Sequence, residues 1–145
     1  MNNPWVELLE CDSFVRVDIS PNTSLIGQIK TDGGPYSILA NRVNIEESII
    51  PFLRPIPLTR CLLKRTRFVG DYLRYKCGSI SLEGITKIGE FGFNMYAGRC
   101  LITSEPIKYF HELQTIIYRF IDDGRYNFNW CNIKDIFPNY ITIQI

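Results

Sequence analysis

At 145 residues, with 46% apolar and 21% charged composition and a formal net charge of +1, the chain fits one globular domain that buries about two thirds of its unfolded surface. Nine Phe, eight Tyr and two Trp argue against intrinsic disorder and for half-buried pleated surface. Five cysteines without a CxxC pair fit free, mostly buried thiols in a reducing cytoplasm and argue against a disulfide scaffold.

Glu7, Glu10, Asp12 and Asp18 interrupt the N-terminal region, so neither a signal segment nor a membrane span can be drawn there. No other window approaches a span, and the expectation is a soluble intracellular protein that does not engage membranes. The alternation in residues 14–19 and 25–30 predicts two strands around the turn-prone Ser20-Pro21-Asn22, and Asp32-Gly33-Gly34 then turns the chain into a return strand at 35–40. Such an N-terminal meander reads as a bent sheet or partial barrel. Residues 43–50 match neither period. Pro51, Pro55 and Pro57 hold the next piece extended and mark an internal sub-domain boundary at 51–57 within a single domain of 1–145.

A short helix is expected after Pro57, over 58–66, and period two resumes in 72–77 and 79–83. Residues 71–100 therefore read as a second set of strands punctuated by Gly78, Gly84, Gly89, Gly92 and Gly98, glycines that match no phosphate-binding motif. A long helix is predicted over 106–122. Ser104 would cap it, Ile107, Phe110, Leu113, Ile117, Phe120 and Ile121 form its apolar stripe, and Gly124 ends it. A loop over 127–138, with a short turn at 133–137, precedes an alternating final strand at 140–145 that should pair inside a sheet. The expected fold is α+β: antiparallel strands from both halves packed on one long C-terminal helix.

Charge is divided along the chain. Residues 54–76 hold seven of the sixteen Lys and Arg residues and one acid, Asp71, for a sum of +6, while the remaining residues sum to −5. Arg60, Lys64, Arg65, Arg67, Arg74 and Lys76 alternate there with Phe68, Tyr72 and Tyr75, a mixture suited to phosphates and flat rings. On a strand Tyr72 shares a face with Arg74 and Lys76, and Tyr75 lies opposite. The candidate ligand-binding residues are Arg60, Lys64, Arg65, Arg67, Tyr72, Arg74 and Lys76. The alternative is a solvated face whose cations pair with acids such as Glu46 and Glu47.

Catalytic chemistry lacks material. His111 is the sole histidine, so multi-histidine metal sites lack ligands and a histidine-based triad is not expected. Cys61 has no base beside it, and Glu46-Glu47 and Asp122-Asp123 read as neighbours that diverge or form a helix end. No enzyme activity, cofactor or metal is expected.

Pro55-Ile56-Pro57-Leu58-Thr59 with Leu62-Leu63-Lys64, followed by Ile107-Lys108-Tyr109-Phe110-His111-Glu112-Leu113-Gln114, resembles small proteins encoded by phages and mobile elements of gut bacteria. In those relatives a PIPLTEE-type helix start follows N-terminal strands and an IKYVHQLQNLY-type helix lies near the C-terminus. The resemblance covers about a quarter of the residues, implies a mobile-element setting, and carries no activity or functional residue with it. Here Arg60 and Cys61 stand where the relatives place acids, which costs the helix start stability that a bound anion could restore.

These features together point to a non-catalytic accessory protein that binds an anionic host factor, first of all a nucleotide signal of antiviral defence, with an oligomer completing the site. The alternatives are an inhibitor that covers an acidic host protein, and a nucleic-acid-binding or virion structural protein, for which the small net charge is least suited.

Overall fold

Phe14, Val15, Val17 and Ile19 alternate with Arg16 and Asp18 through β1 (Ser13–Ser20), and the chain returns through Pro21 and Asn22 into β2 (Thr23–Lys30). The computed structural model of the chain describes residues 4–7, 9–30, 42–43, 51–122 and 130–144. The strand expected at 35–40, Glu46 and Glu47, Asp123 and Gly124 lie outside the described residues. β1 and β2 join β3 (Arg42–Val43), β4 (Leu53–Arg54) and β10 (Tyr140–Gln144) in a five-stranded sheet of order β3-β10-β2-β1-β4. β10 runs parallel to both β2 and β3, so the end of the chain occupies the interior of the sheet. Room for it comes from Gly27, where a Cβ would stand 2.4 Å from Ile143 Cδ1.

The second sheet is an antiparallel meander of β5 (Val69–Asp71), β6 (Arg74–Cys77), β7 (Ile80–Gly84), β8 (Phe93–Ala97) and β9 (Cys100–Leu101), in that order. Tyr75, Leu82 and Met95 face one another across three strands, and all are fully buried. Three of its connections are two-residue turns, Tyr72-Leu73, Gly78-Ser79 and Gly98-Arg99. In each, the first central residue has a positive φ, +53° at Tyr72 and +61° at both glycines. The second residue does not, the pattern of the type II′ turn whose twist matches paired strands.

The first sheet buries side chains on both faces. Val15, Val17, Ile29, Leu53 and Ile143 form a small core with Val6 of the N-terminal turn α1 (Pro4–Glu7). Phe14 on the opposite face enters the main core, which also takes residues from the second sheet, from α2 (Arg60–Leu63) and from α3 (Phe110–Asp122). Ile136 of α4 (Ile133–Ile136) and the adjoining Phe137 complete it. α3 also terminates a strand edge. β4 reaches only Arg16 and Val17 of β1, and beyond it the Phe14 amide donates 2.8 Å to the buried Gln114 Oε1.

This architecture is predominantly β and corrects the α+β expectation. Two five-stranded sheets dominate, α2 is a single turn of four residues, and α3 has 13 residues, so strands are not arranged on one long C-terminal helix. The helix starts at Phe110 because the preceding residues are recruited as strand. Ile107 exchanges backbone hydrogen bonds of 2.7 and 2.9 Å with Phe93, and Tyr109 bridges Pro57. Glu112 then takes the capping role expected of Ser104: its Oε1 accepts from the Tyr109 amide at 2.9 Å and the Lys108 amide at 3.0 Å. Among the described residues no helix is long and apolar enough to cross a membrane.

Candidate functional site

The basic segment does not fold into one cationic pocket. Thr59 caps α2, accepting from the Leu62 amide at 3.1 Å, and this places Arg60 at the exposed start of that turn. Lys64 ends the turn, and Lys64, Arg65 and Arg67 are exposed as the chain leaves it. The Arg67 amide donates 2.7 Å to the Trp130 carbonyl, tying that end of the segment to the C-terminal region. Arg74 and Lys76 project from the outer face of β6, opposite the buried Tyr75. Arg74 faces Glu83 across the ladder and pairs with it at 3.6 Å. Arg54 is satisfied locally, donating 2.6 Å to the Pro51 carbonyl.

Two of the seven candidates do meet. The Arg60 guanidinium carbon sits 4.8 Å from the centre of the Tyr72 ring, a cation-π contact. Both line an open cleft of about 340 Å³, with Thr59, Leu73, Glu90 and Phe91 among its other walls. Tyr72 comes here because it is a turn residue. Its positive φ takes it out of the strand alternation that grouped it with Arg74 and Lys76, and its side chain remains 66% exposed. Burial pushes the phenol of the core residue Tyr75 up, and the Arg60 charge opposes that shift. The Tyr75 hydroxyl has no hydrogen-bond partner among the described residues.

Phe91 was not anticipated. It is 53% exposed at the end of a loop whose base is closed by the Ile85 amide bonding the Gly92 carbonyl at 3.0 Å. A second cleft of about 490 Å³ opens on its other side, where Lys108 Nζ stands 5.9 Å from the ring centre. The available sequence signal was an apolar residue between Glu90 and Gly92 in a glycine-punctuated loop.

Cys61 and Cys100 are exposed free thiols, Cys11 is buried, and Cys77 and Cys131 are half-buried, so two of the five do not fit the expectation of burial. Burial pushes the Cys131 thiol up to about 12 against the lowering effect of Arg67. Among the described residues no three His, Cys, Asp or Glu side chains are grouped to hold a metal ion.

His111 is a packing residue, with its ring 4.8 Å from Trp5 and stacked on Tyr109 at 5.9 Å. Its Nδ1 is buried without a hydrogen-bond partner. Burial holds its pKa below the usual 6.5, and Glu112 opposes the shift. Because the folded state resists a proton that the unfolded chain accepts, stability is expected to fall as pH drops from about 6.5 through the lowered folded value, then level off. Thermal melts across that window should show the slope, and His111→Phe should remove it.

No protein-family model, curated protein or solved structure matches the chain.

Proposed function

We propose that the protein is a non-catalytic binding protein whose Arg60–Tyr72–Phe91 cleft captures a small anionic molecule with a flat ring, a nucleotide. The observation that carries this reading is Tyr72 itself. Of three equivalent turns in one meander, two place glycine at the positive-φ position and the third places a tyrosine. A bulky residue there costs on the order of 1–3 kcal/mol, and such strain clusters where a side chain must be presented to a ligand. Here the presented ring lies under a guanidinium and across a cleft from a second exposed aromatic. Its volume is within the range of about 300–1,000 Å³ typical of small-molecule sites.

With one cation at the cleft, affinity rests on stacking plus a single charge-assisted contact, and a second copy adding its own cations would raise it. The resemblance to phage and mobile-element proteins supplies the setting, in which occupancy alone would sequester a nucleotide immune signal. Calorimetry at low salt with a panel of linear and cyclic nucleotides tests the reading. Arg60→Ala is expected to weaken binding about tenfold or more through loss of a hydrogen bond to a charged group. Absence of any binding by the intact protein would end the proposal.

A second reading rests on β5. It is an edge strand whose three residues are all exposed, with Val69 77% exposed next to the Tyr72 turn, an edge that an extended segment of a host protein could extend. Recovery of one acidic host protein from nuclease-treated lysate, lost on Val69→Lys, would favour it.

A further inference from the structure

We propose that Glu90 selects guanine as the base of the captured nucleotide, an inference that rests on the reading above and adds the identity of the ring. Glu90 shares the cleft with Arg60, Tyr72 and Phe91, yet a carboxylate repels the phosphate that Arg60 would hold. It suits a ligand that brings hydrogen-bond donors to it. An ionised carboxylate is an acceptor at both oxygens.

Among the nucleic-acid bases, guanine carries two adjacent donors on one edge, N1–H and the N2 amino group, spaced to meet both oxygens of one carboxylate. Adenine and cytosine set a ring-nitrogen acceptor beside their amino group, and uracil and thymine flank a single N–H with two carbonyls. Each of these would bring a lone pair against Glu90. Guanine alone satisfies both oxygens while its face lies on an aromatic ring.

The backbone of the loop that carries Glu90 is fixed by hydrogen bonds. The Glu90 amide donates to the Lys87 carbonyl at 3.1 Å, and the loop base is closed between Ile85 and Gly92. The competing ion pair is weak: Lys87 Nζ lies 3.8 Å from Glu90 Oε1, and both side chains are more than half exposed. Glu90 is therefore free to exchange Lys87 for a ligand. Arg60 and Glu90 then have complementary tasks in one cleft, one for the phosphate and one for the base edge, with Tyr72 or Phe91 stacked on the purine.

Calorimetry at low salt with guanosine, inosine and adenosine monophosphates separates the terms, because inosine differs from guanosine only in lacking the N2 amino group. The intact protein should bind the guanosine nucleotide about tenfold more tightly than the other two, the worth of hydrogen bonds to a charged group at a half-exposed site. Glu90→Gln should bring the three to within about twofold of one another, weakening the guanosine nucleotide most. Equal affinities in the intact protein, or a guanosine preference that survives Glu90→Gln, would overturn the role of Glu90 and leave nucleotide capture standing. Failure to bind all three would overturn both.

Discussion

Phe110→Ala is expected to lower folding stability by about 3–5 kcal/mol, the usual cost of deleting a fully buried aromatic ring and leaving its cavity. Phe110 has no exposed surface, and its ring stands 6.2 Å from Phe14 of β1 and 5.7 Å from both Trp130 and Phe137. It therefore touches the first sheet and the C-terminal segment while sharing a core with Tyr75, Leu82 and Met95 of the second sheet. Against a typical net stability of about 5–15 kcal/mol, that loss removes a large fraction of the total. Denaturant titration should show one transition in both proteins, with the midpoint displaced and the slope unchanged. A cost below about 1.5 kcal/mol, or a transition that splits in two, would mean that the sheets do not depend on a shared core.

Tyr72→Gly should separate stability from binding. Glycine adopts a φ of +53° without the clash that a Cβ meets, and Gly78 and Gly98 occupy the equivalent positions of the neighbouring turns. Since Tyr72 is 66% exposed, little burial is lost. The expected result is a variant about 1 kcal/mol more stable, with a melting temperature a few degrees higher. The same change removes the ring beneath Arg60 and should weaken nucleotide binding at least tenfold, because a base-aromatic stack contributes on the order of 1–3 kcal/mol. Tyr72→Phe should retain most of the binding and none of the stability gain. If glycine destabilised the protein, the strain inferred at this turn would be absent. If binding were unchanged, the ring would have no part in it.

The strand before the Tyr72 turn is tightly packed as well. Gly70 on β5 faces Tyr75 across the ladder, and a Cβ on it would fall 1.9 Å from the Arg74 carbonyl oxygen, so any side chain at Gly70 forces the backbone of β6 aside.

Local patterns were legible where one face of a strand is buried and the other is wet. Residues 74–77 and 80–84 showed this, with Tyr75, Ile80 and Leu82 alternating with exposed or half-exposed neighbours, whereas β1 and β2 bury adjacent residues on both faces, Phe14 beside Val15 and Gln28 beside Ile29. The helix start was misread because Pro106 and Ile107 suit a first turn by propensity, whereas Ile107 gains two backbone hydrogen bonds from Phe93, a residue far along the chain. The site was legible only in part. Arg60 and Tyr72 were named for charge and ring type, but their contact depends on a turn φ that no residue type announces for tyrosine. Arg74 read as a free cation because Glu83 becomes its neighbour only through ladder register.

The order of amino acids by itself determined the spacing of apolar side chains, hence the strands around Val15 and Leu82, and it limited the chain to a single histidine, His111. Tertiary structure alone decided that β10 would insert in parallel beside β2, that the helix would begin at Phe110, and that Arg60 would meet Tyr72 and Glu90 in one cleft. The division follows from range. Periodicity and propensity act over a few residues, whereas register, edge pairing and the closure of a cleft are settled by contacts between segments far apart in the chain, whose free energies exceed local preferences once the core forms.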